Sequence, residues 1–281
     1  GSGWLITELD SINISTLGNA VYFGETTLFA QGKGGSSSQT RGIWGGGYNP
    51  AAITNIIDYV TIASAGDAVD FGDLTSGRSN NSACANSTRC VWGGGGPSNI
   101  LDYVEISTLG DAKDFGDLTD DRQLLGATSS PTRGLFAGGQ DPSVSFSKID
   151  YIQFASKGNS FKFGDLTSTR NSTNGVSSGI RAVFGLGTLS PVFMNDMDYV
   201  VIASTGNAVD FGTLSAKVSW PGTASTKIRG VFAGGLTPTY VNNIDYITIA
   251  SAGNGIDFGD LTNPGHGQWG ASDSHGGLGG Y

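Results

Sequence analysis

The chain has 281 residues; 46 are glycine, only 14% are charged, and the formal net charge is −9. That acidic balance excludes a nucleic-acid partner, whose phosphates need a basic surface, and disfavours adhesion to anionic lipid. No apolar run reaches the roughly 18–20 residues that cross a bilayer as a helix, so no membrane insertion is expected.

Taken in chain order, the first recognisable phrase is Leu9-Asp10-Ser11-Ile12. It returns as Ile57-Asp58-Tyr59-Val60, Leu101-Asp102-Tyr103-Val104, Ile149-Asp150-Tyr151-Ile152, Met197-Asp198-Tyr199-Val200 and Ile244-Asp245-Tyr246-Ile247. The steps between the aspartates are 48, 44, 48, 48 and 47 residues. Thirteen residues after each Asp comes Phe-Gly, at Phe23, Phe71, Phe115, Phe163, Phe211 and Phe258. A fixed period in this range marks a repeated supersecondary unit, a solenoid or a propeller. Residues 1–281 therefore read as one repeat domain, although the length alone would allow two.

One repeat, followed from Arg78 to Leu118, divides into four short strands. A run of small residues around Cys84 is followed by the turn Asn86-Ser87-Thr88 and then by Arg89-Cys90-Val91-Trp92, which stops at Gly93-Gly94-Gly95. A loop of variable length leads to Ile100-Leu101-Asp102-Tyr103-Val104, and Leu109-Gly110-Asp111 turns the chain into Ala112-Lys113-Asp114-Phe115-Gly116. These boundaries carry turn chemistry, and no 3.6-residue periodicity persists long enough for a helix. In the second strand Ile43, Val91, Leu135, Val183 and Val231 face one way, and Trp44, Trp92, Phe136, Phe184 and Phe232 the other. A sheet apolar on both faces is covered on both sides, as stacked propeller blades are. The small first strand suits the crowded innermost position.

Ring closure follows from counting. Fifteen residues separate Leu74 from Arg89, Leu118 from Arg133, Leu166 from Arg181 and Leu214 from Arg229. The same step from Leu261 lands on Gly276, so residues 275–281 are predicted to form a degenerate second strand. The last blade would then take its two inner strands from the C-terminus and its two outer strands from residues near 9–24. A linear solenoid would need capping repeats. The sequence thus predicts an all-β fold, a six-bladed β-propeller of four-stranded blades whose closing blade is shared between the N- and C-terminus.

The order of a small-residue strand, an apolar strand ending in Gly-Gly, a tyrosine and a later aromatic resembles the kelch repeat. The doublets are Gly45-Gly46, Gly94-Gly95, Gly138-Gly139 and Gly234-Gly235, with Phe standing where kelch repeats usually carry Trp. A narrower resemblance is to repeat proteins of tailed bacteriophages, especially those of marine cyanobacteria. It rests on the run from Ile244 to Asn254 and on Asp257-Phe258-Gly259-Asp260-Leu261-Thr262. Those proteins are taken as virion structural or fibre components, which would place this chain in a virion, outside a cell.

The kelch likeness implies binding at one face of the ring, near the loops that lead into the first strands. There Arg78, Arg122, Arg170, Lys217 and His266 would surround the channel mouth, with Trp220 and Trp269 beside two of them. Tyr48, Phe146, Phe193 and Tyr240 lie in the variable loops after the second strands. Cations ringed by aromatics suit an anionic or hydroxyl-rich sugar; the alternative is that the arginines bond strand-end carbonyls.

A second set of charges repeats too regularly for a binding site. Asp10, Asp58, Asp102, Asp150, Asp198 and Asp245 occur in all six repeats, and Arg41, Arg89, Arg133, Arg181 and Arg229 in five. They are expected to hydrogen-bond to one another as an internal brace in each blade. Asp67, Asp70 and Asp73 invite a calcium reading, but the calcium-loop spacing is absent and Lys162 replaces the middle Asp in one copy. Two histidines and no nucleophile elbow leave no catalytic residues, cofactor or metal site to nominate. Cys84 and Cys90 read as small buried side chains, with a cross-strand disulfide as the alternative. The function expected is a non-enzymatic tail-fibre or decoration module that binds a host-surface glycan or receptor. The alternative is a structural disc joining other virion proteins, with an enzyme on a kelch-like scaffold third.

Overall fold

The computed structural model describes residues 7–267 and 269–279. It is an all-β propeller. A two-stranded sheet, β1 (Glu8–Ser11) and β2 (Val21–Glu25), comes first. Five four-stranded antiparallel blades follow. Blade 1 is β3 (Gly34–Ser37), β4 (Arg41–Gly45), β5 (Ile56–Thr61) and β6 (Val69–Asp73). Blade 2 is β7 (Ser82–Ala85), β8 (Arg89–Gly93), β9 (Ser98–Glu105) and β10 (Lys113–Arg122). Blade 3 is β11 (Gly126–Ser129), β12 (Arg133–Ala137), β13 (Lys148–Gln153) and β14 (Phe161–Asp165). Blade 4 is β15 (Asn174–Ser177), β16 (Arg181–Leu189), β17 (Val192–Val201) and β18 (Val209–Thr213). Blade 5 is β19 (Gly222–Ser225), β20 (Arg229–Leu236), β21 (Tyr240–Thr248) and β22 (Ile256–Asp260).

The first strands β3, β7, β11, β15 and β19 touch one another and line the axis, which is why they hold only small residues and one Asn. The second strands carry the bulk. Ile43, Val91, Leu135, Val183, Trp92, Phe136 and Phe184 are all buried between blades. In every sheet, the two-stranded one included, the ladder between the last two strands skips one residue at the phenylalanine of Phe-Gly. Such a bulge inserts one residue and bends the strand. Here it turns Phe71, Phe115, Phe163, Phe211 and Phe258 inward, where each meets its blade's tyrosine edge-on at 5.8–6.2 Å between ring centres.

Neighbouring sheets interlock identically. The glycine of Phe-Gly lies directly under a loop of the next sheet. A Cβ on Gly164 would overlap the carbonyl of Gly206, and the same pairing recurs at Gly24 with Gly66, Gly72 with Gly110, Gly116 with Gly158, Gly212 with Gly253 and Gly259 with Gly18. Beside it an Asn or Asp Oδ1 accepts a backbone N–H from the neighbouring outer strand, at 3.0–3.1 Å in all six junctions: Asn19, Asp67, Asp111, Asn159, Asn207 and Asn254. Asp67, one of the residues of the calcium reading, and Asp111 thus fasten neighbouring sheets together.

The closing position differs from expectation. Five four-stranded blades are present, not six, and the two-stranded sheet stands between blades 5 and 1. It makes the same junction contacts: Gly18 N–H donates to the Phe258 carbonyl and Ala68 N–H to the Glu25 carbonyl. Residues 269–272 run where an inner strand would. Trp44 Nε1 donates to the Trp269 carbonyl, as Trp92 Nε1 does to that of Gly34, and Ser272 exchanges two hydrogen bonds with the Ser37 hydroxyl. The expected second strand is not there. Gly276–Leu278 is a 3₁₀ turn, and the last two residues of the expected strand, 280 and 281, lie outside the described residues. The reason is local. Residues 275–279 offer neither the arginine nor the aromatic that fixes every other second strand, and bare Gly277 fits where a Cβ would overlap the Ala85 carbonyl. The turn closes one end of the channel against β7, β11 and β15, leaving an internal space of about 50 Å³.

His275 caps this turn. Its Nδ1 accepts the Gly277 N–H at 3.1 Å, so Nε2 carries the hydrogen and donates to the Ser37 carbonyl at 2.8 Å. Burial holds the ring below the usual histidine range, the Ser37 bond opposing. The unfolded chain therefore takes a proton that the folded chain refuses, and stability falls as pH drops through about 6.5. Melting temperatures recorded from pH 7.5 to 5 are expected to fall more steeply for the native chain than for His275→Gln; parallel curves would refute the cap. The junction gives a second expectation. Gly164→Ala should cost about 1–3 kcal/mol or more, whereas Gly206→Ala, with nothing within 4 Å of its Cβ, should cost no more than about 0.5 kcal/mol in thermal melts.

Candidate ligand-binding site at the channel mouth

The three arginines assigned to the mouth lie elsewhere. Arg122 and Arg170 are 0% exposed and Arg78 3%, each inside the blade it leads into. Arg122 Nη2 pairs with Asp150 at 2.7 Å while Nη1 donates to the Gly138 and Lys148 carbonyls; Arg170 pairs with Asp198 at 3.1 Å, and Arg78 with Asp102. Lys33 does the same for Asp58 at 3.0 Å. Burial pushes the Arg78 and Arg122 guanidinium groups below their usual range, and the facing carboxylates oppose that shift. These arginines are therefore unavailable to a ligand, as the strand-carbonyl alternative required. Lys217 is exposed.

The brace exists, but with other partners than expected. Each repeat aspartate accepts from a hydroxyl just past the preceding outer strand: Thr27 to Asp58, Thr75 to Asp102, Thr119 to Asp150, Thr167 to Asp198, Ser215 to Asp245 and Thr262 to Asp10. Arg41, Arg89, Arg133, Arg181 and Arg229 do not touch them. Each instead lies over its own blade's tyrosine, 4.3–5.3 Å from the ring centre, and donates Nη1 to a carbonyl of the next sheet. The strand register explains this. Trp44 stands opposite Asp58 and Arg41 opposite Thr61, so the two charges are three positions apart along the ladder. The recurring Thr or Ser after each leucine was the sequence signal that would have found the true clasp.

The aromatics do gather. Trp220, Trp269 and Tyr48 line a pocket of about 250 Å³ at the mouth. Trp220 stacks on His266 at 5.0 Å and His266 on Tyr240 at 4.7 Å, giving three parallel rings. Trp220 Nε1 donates to the Ser172 hydroxyl, which fixes the indole. Burial holds His266 below the usual histidine range.

The rim of this pocket is a backbone repeat that the sequence does not display. Gly32, Asn80, Leu124, Ser172, Trp220 and Gly267 occupy one place in successive sheets, all with φ between +55° and +74°. The N–H of each from Asn80 onward donates to the carbonyl of the one before, at 2.7–3.1 Å. A left-handed ring of backbone thus encircles the axis. No residue type is common to its members, which is why sequence reading passes over Asn80, Leu124 and Ser172. The residues lining the pocket include no Asp, Glu, Lys, Arg or His.

No protein-family model matches the chain, and no curated protein matches it. Among the described residues, no helix is long and apolar enough to cross a membrane, and no three His, Cys, Asp or Glu side chains group as a metal site. Cys84 and Cys90 are free and buried, and burial pushes both thiols well up. They do not face each other, since Cys84 pairs with Val91 and Cys90 with Ala85.

The two kinds of aspartate predict different costs. Asp150→Asn strands the buried Arg122 charge and should cost about 3–5 kcal/mol. Asp245, clasped by Ser215 with no ion pair among the described residues, should tolerate Asn at about 1 kcal/mol or less. Urea midpoints measure both; equal losses would show that the ion pair is not what Asp150 depends on.

Proposed function

We propose that this chain is a non-enzymatic recognition module of a virion, carried on a tail fibre or as a decoration, whose channel mouth binds a glycan or receptor on the host surface. The supporting observation is the pocket. Three aromatic side chains, Trp220, Trp269 and Tyr48, and uncharged polar side chains line one concavity, the composition that binds a compact, hydroxyl-bearing ligand. The virion setting rests on the phage-like phrases of the repeat, and the ring as a whole resembles kelch propellers. With the arginines spent inside the blades, an uncharged sugar fits this mouth better than an anionic one.

The two-stranded sheet and residues 269–272 are read here as the outer and inner parts of a sixth, incomplete blade shared between the two ends of the chain. Its members sit at the repeat period of the other five, and the Thr262–Asp10 clasp joins it to blade 5.

A structural disc is the second reading. It is favoured by Val21, Val69, Phe161, Val209 and Ile256, all exposed at equivalent places on the outermost strands, a row that could seat other virion proteins. The two readings separate in one experiment. Purified protein is applied to marine cyanobacterial cells and to a glycan array, beside Tyr48→Ala and a Val69→Lys, Val209→Lys rim variant. Binding that Tyr48→Ala weakens and the rim variant keeps is the expected result. A folded native chain that binds neither cells nor glycans would overturn the recognition reading in favour of the disc.

A further inference from the structure

We infer that the left-handed ring is the specificity element of the mouth, and that its ligand is one small, uncharged, hydroxyl-rich ring, such as the neutral terminal sugar of a glycan, entering along the axis. The inference rests on the reading of the mouth as the binding face.

The argument begins with conformation. Glycine adopts positive φ freely, and Gly32 and Gly267 show that it satisfies this backbone. Four of the six places nevertheless carry side chains. Asn tolerates this region, but a bulky residue such as Leu124 at φ 59° is a genuine outlier. Leu186, at φ 62°, is held this way by burial in the core, whereas Leu124 is only half-buried and faces the pocket. All four line the same pocket, and they differ in chemistry: an amide, an isobutyl group, a hydroxyl and an indole. A common backbone thus presents four distinct contacts around one point.

The chemistry of the wall then selects the ligand. Trp220 and Trp269 offer flat apolar faces for the C–H side of a sugar ring, and Leu124 extends that surface. Asn80 and Asn174 also line the wall, each donating one amide hydrogen bond to the fold, to Gln123 and to the Pro221 carbonyl, and with remaining amide capacity for a hydroxyl. Asn81 is 4% exposed, lines the pocket, and its Oδ1 receives no hydrogen bond among the described residues. No acidic or basic side chain lines the pocket to balance a carboxylate or sulfate. Its volume of about 250 Å³ lies below the roughly 300–1,000 Å³ of pockets for drug-sized ligands, so a single ring enters rather than a chain.

The test uses the whole protein on an array that pairs each neutral glycan with its uronic-acid, sialylated or sulfated counterpart. Leu124→Gly and Asn80→Gly are the variants, since glycine fits the ring and the fold survives. Neutral glycans should be preferred, with affinity insensitive to salt. Each variant should melt no lower than the native chain and bind about tenfold more weakly. Charged glycans preferred over neutral ones, or neutral binding undiminished in both variants, would overturn this inference while leaving the mouth a binding face. No glycan bound by the native chain would overturn both.

Discussion

The carboxylate in the middle of each third strand is the interaction on which the ring depends. Asp102 is buried at the point where the chain, having finished one blade, leads into the next, and it receives the Thr75 hydroxyl, the Thr75 N–H and Arg78 together. A charge taken out of water is stable only when its lone pairs are satisfied by well-placed donors. In this fold the donors come from the linker between blades, so the carboxylate cannot be satisfied unless that linker is docked. Every blade therefore orders the linker that leads into it, and Asp10 and Thr262 carry the same dependence across the two ends of the sequence.

This use of charge shapes the surface. Basic side chains are few, and four of them, Lys33, Arg78, Arg122 and Arg170, are consumed inside. Five more arginines are laid over tyrosines and onto carbonyls of neighbouring sheets. The acidic excess stands outside: Asp70, Asp114, Asp210 and Asp257 are exposed on the outermost strands. Charges on an edge strand discourage pairing with another sheet, which a ring with so many outward edges must avoid. The pocket lining carries no charge, and three cations assigned to the mouth, Arg78, Arg122 and Arg170, are already committed inside the blades.

Much of this was legible in the sequence, and the reason is repetition. The period, the four-strand division, the inner position of the small strand and the aromatic packing all follow from comparing equivalent residues. The failures have physical causes. The brace was assigned to Arg41 and its equivalents because periodicity shows which residues recur but not which of them meet. Meeting depends on register, and three positions along a ladder carry Arg41 about 10 Å from Asp58. The mouth arginines were misplaced for a related reason: a loop cation beside a channel looks solvent-facing until the linker folds back over the next blade. Residues 275–279 matched the period of a second strand while lacking its side chains, and a strand held only by spacing gave way to a tighter turn.

The left-handed ring was invisible for a different reason, and that reason bears on function. Elsewhere in the repeat both backbone and side chain recur, as a structural role requires. At the mouth the backbone recurs and the side chain does not. Glycine satisfies this geometry without the strain of about 1–3 kcal/mol that a residue in a sparsely populated conformation stores. Three of the four side chains also bond within the fold, Asn80 to Gln123, Ser172 to Asn171 and Trp220 to Ser172, while all four line the pocket. A rigid scaffold that varies only what it presents is how binding loops are built on other frameworks. Here the same division is compressed into six residues, joined in series by five backbone hydrogen bonds, so the pocket can change its chemistry without changing its shape.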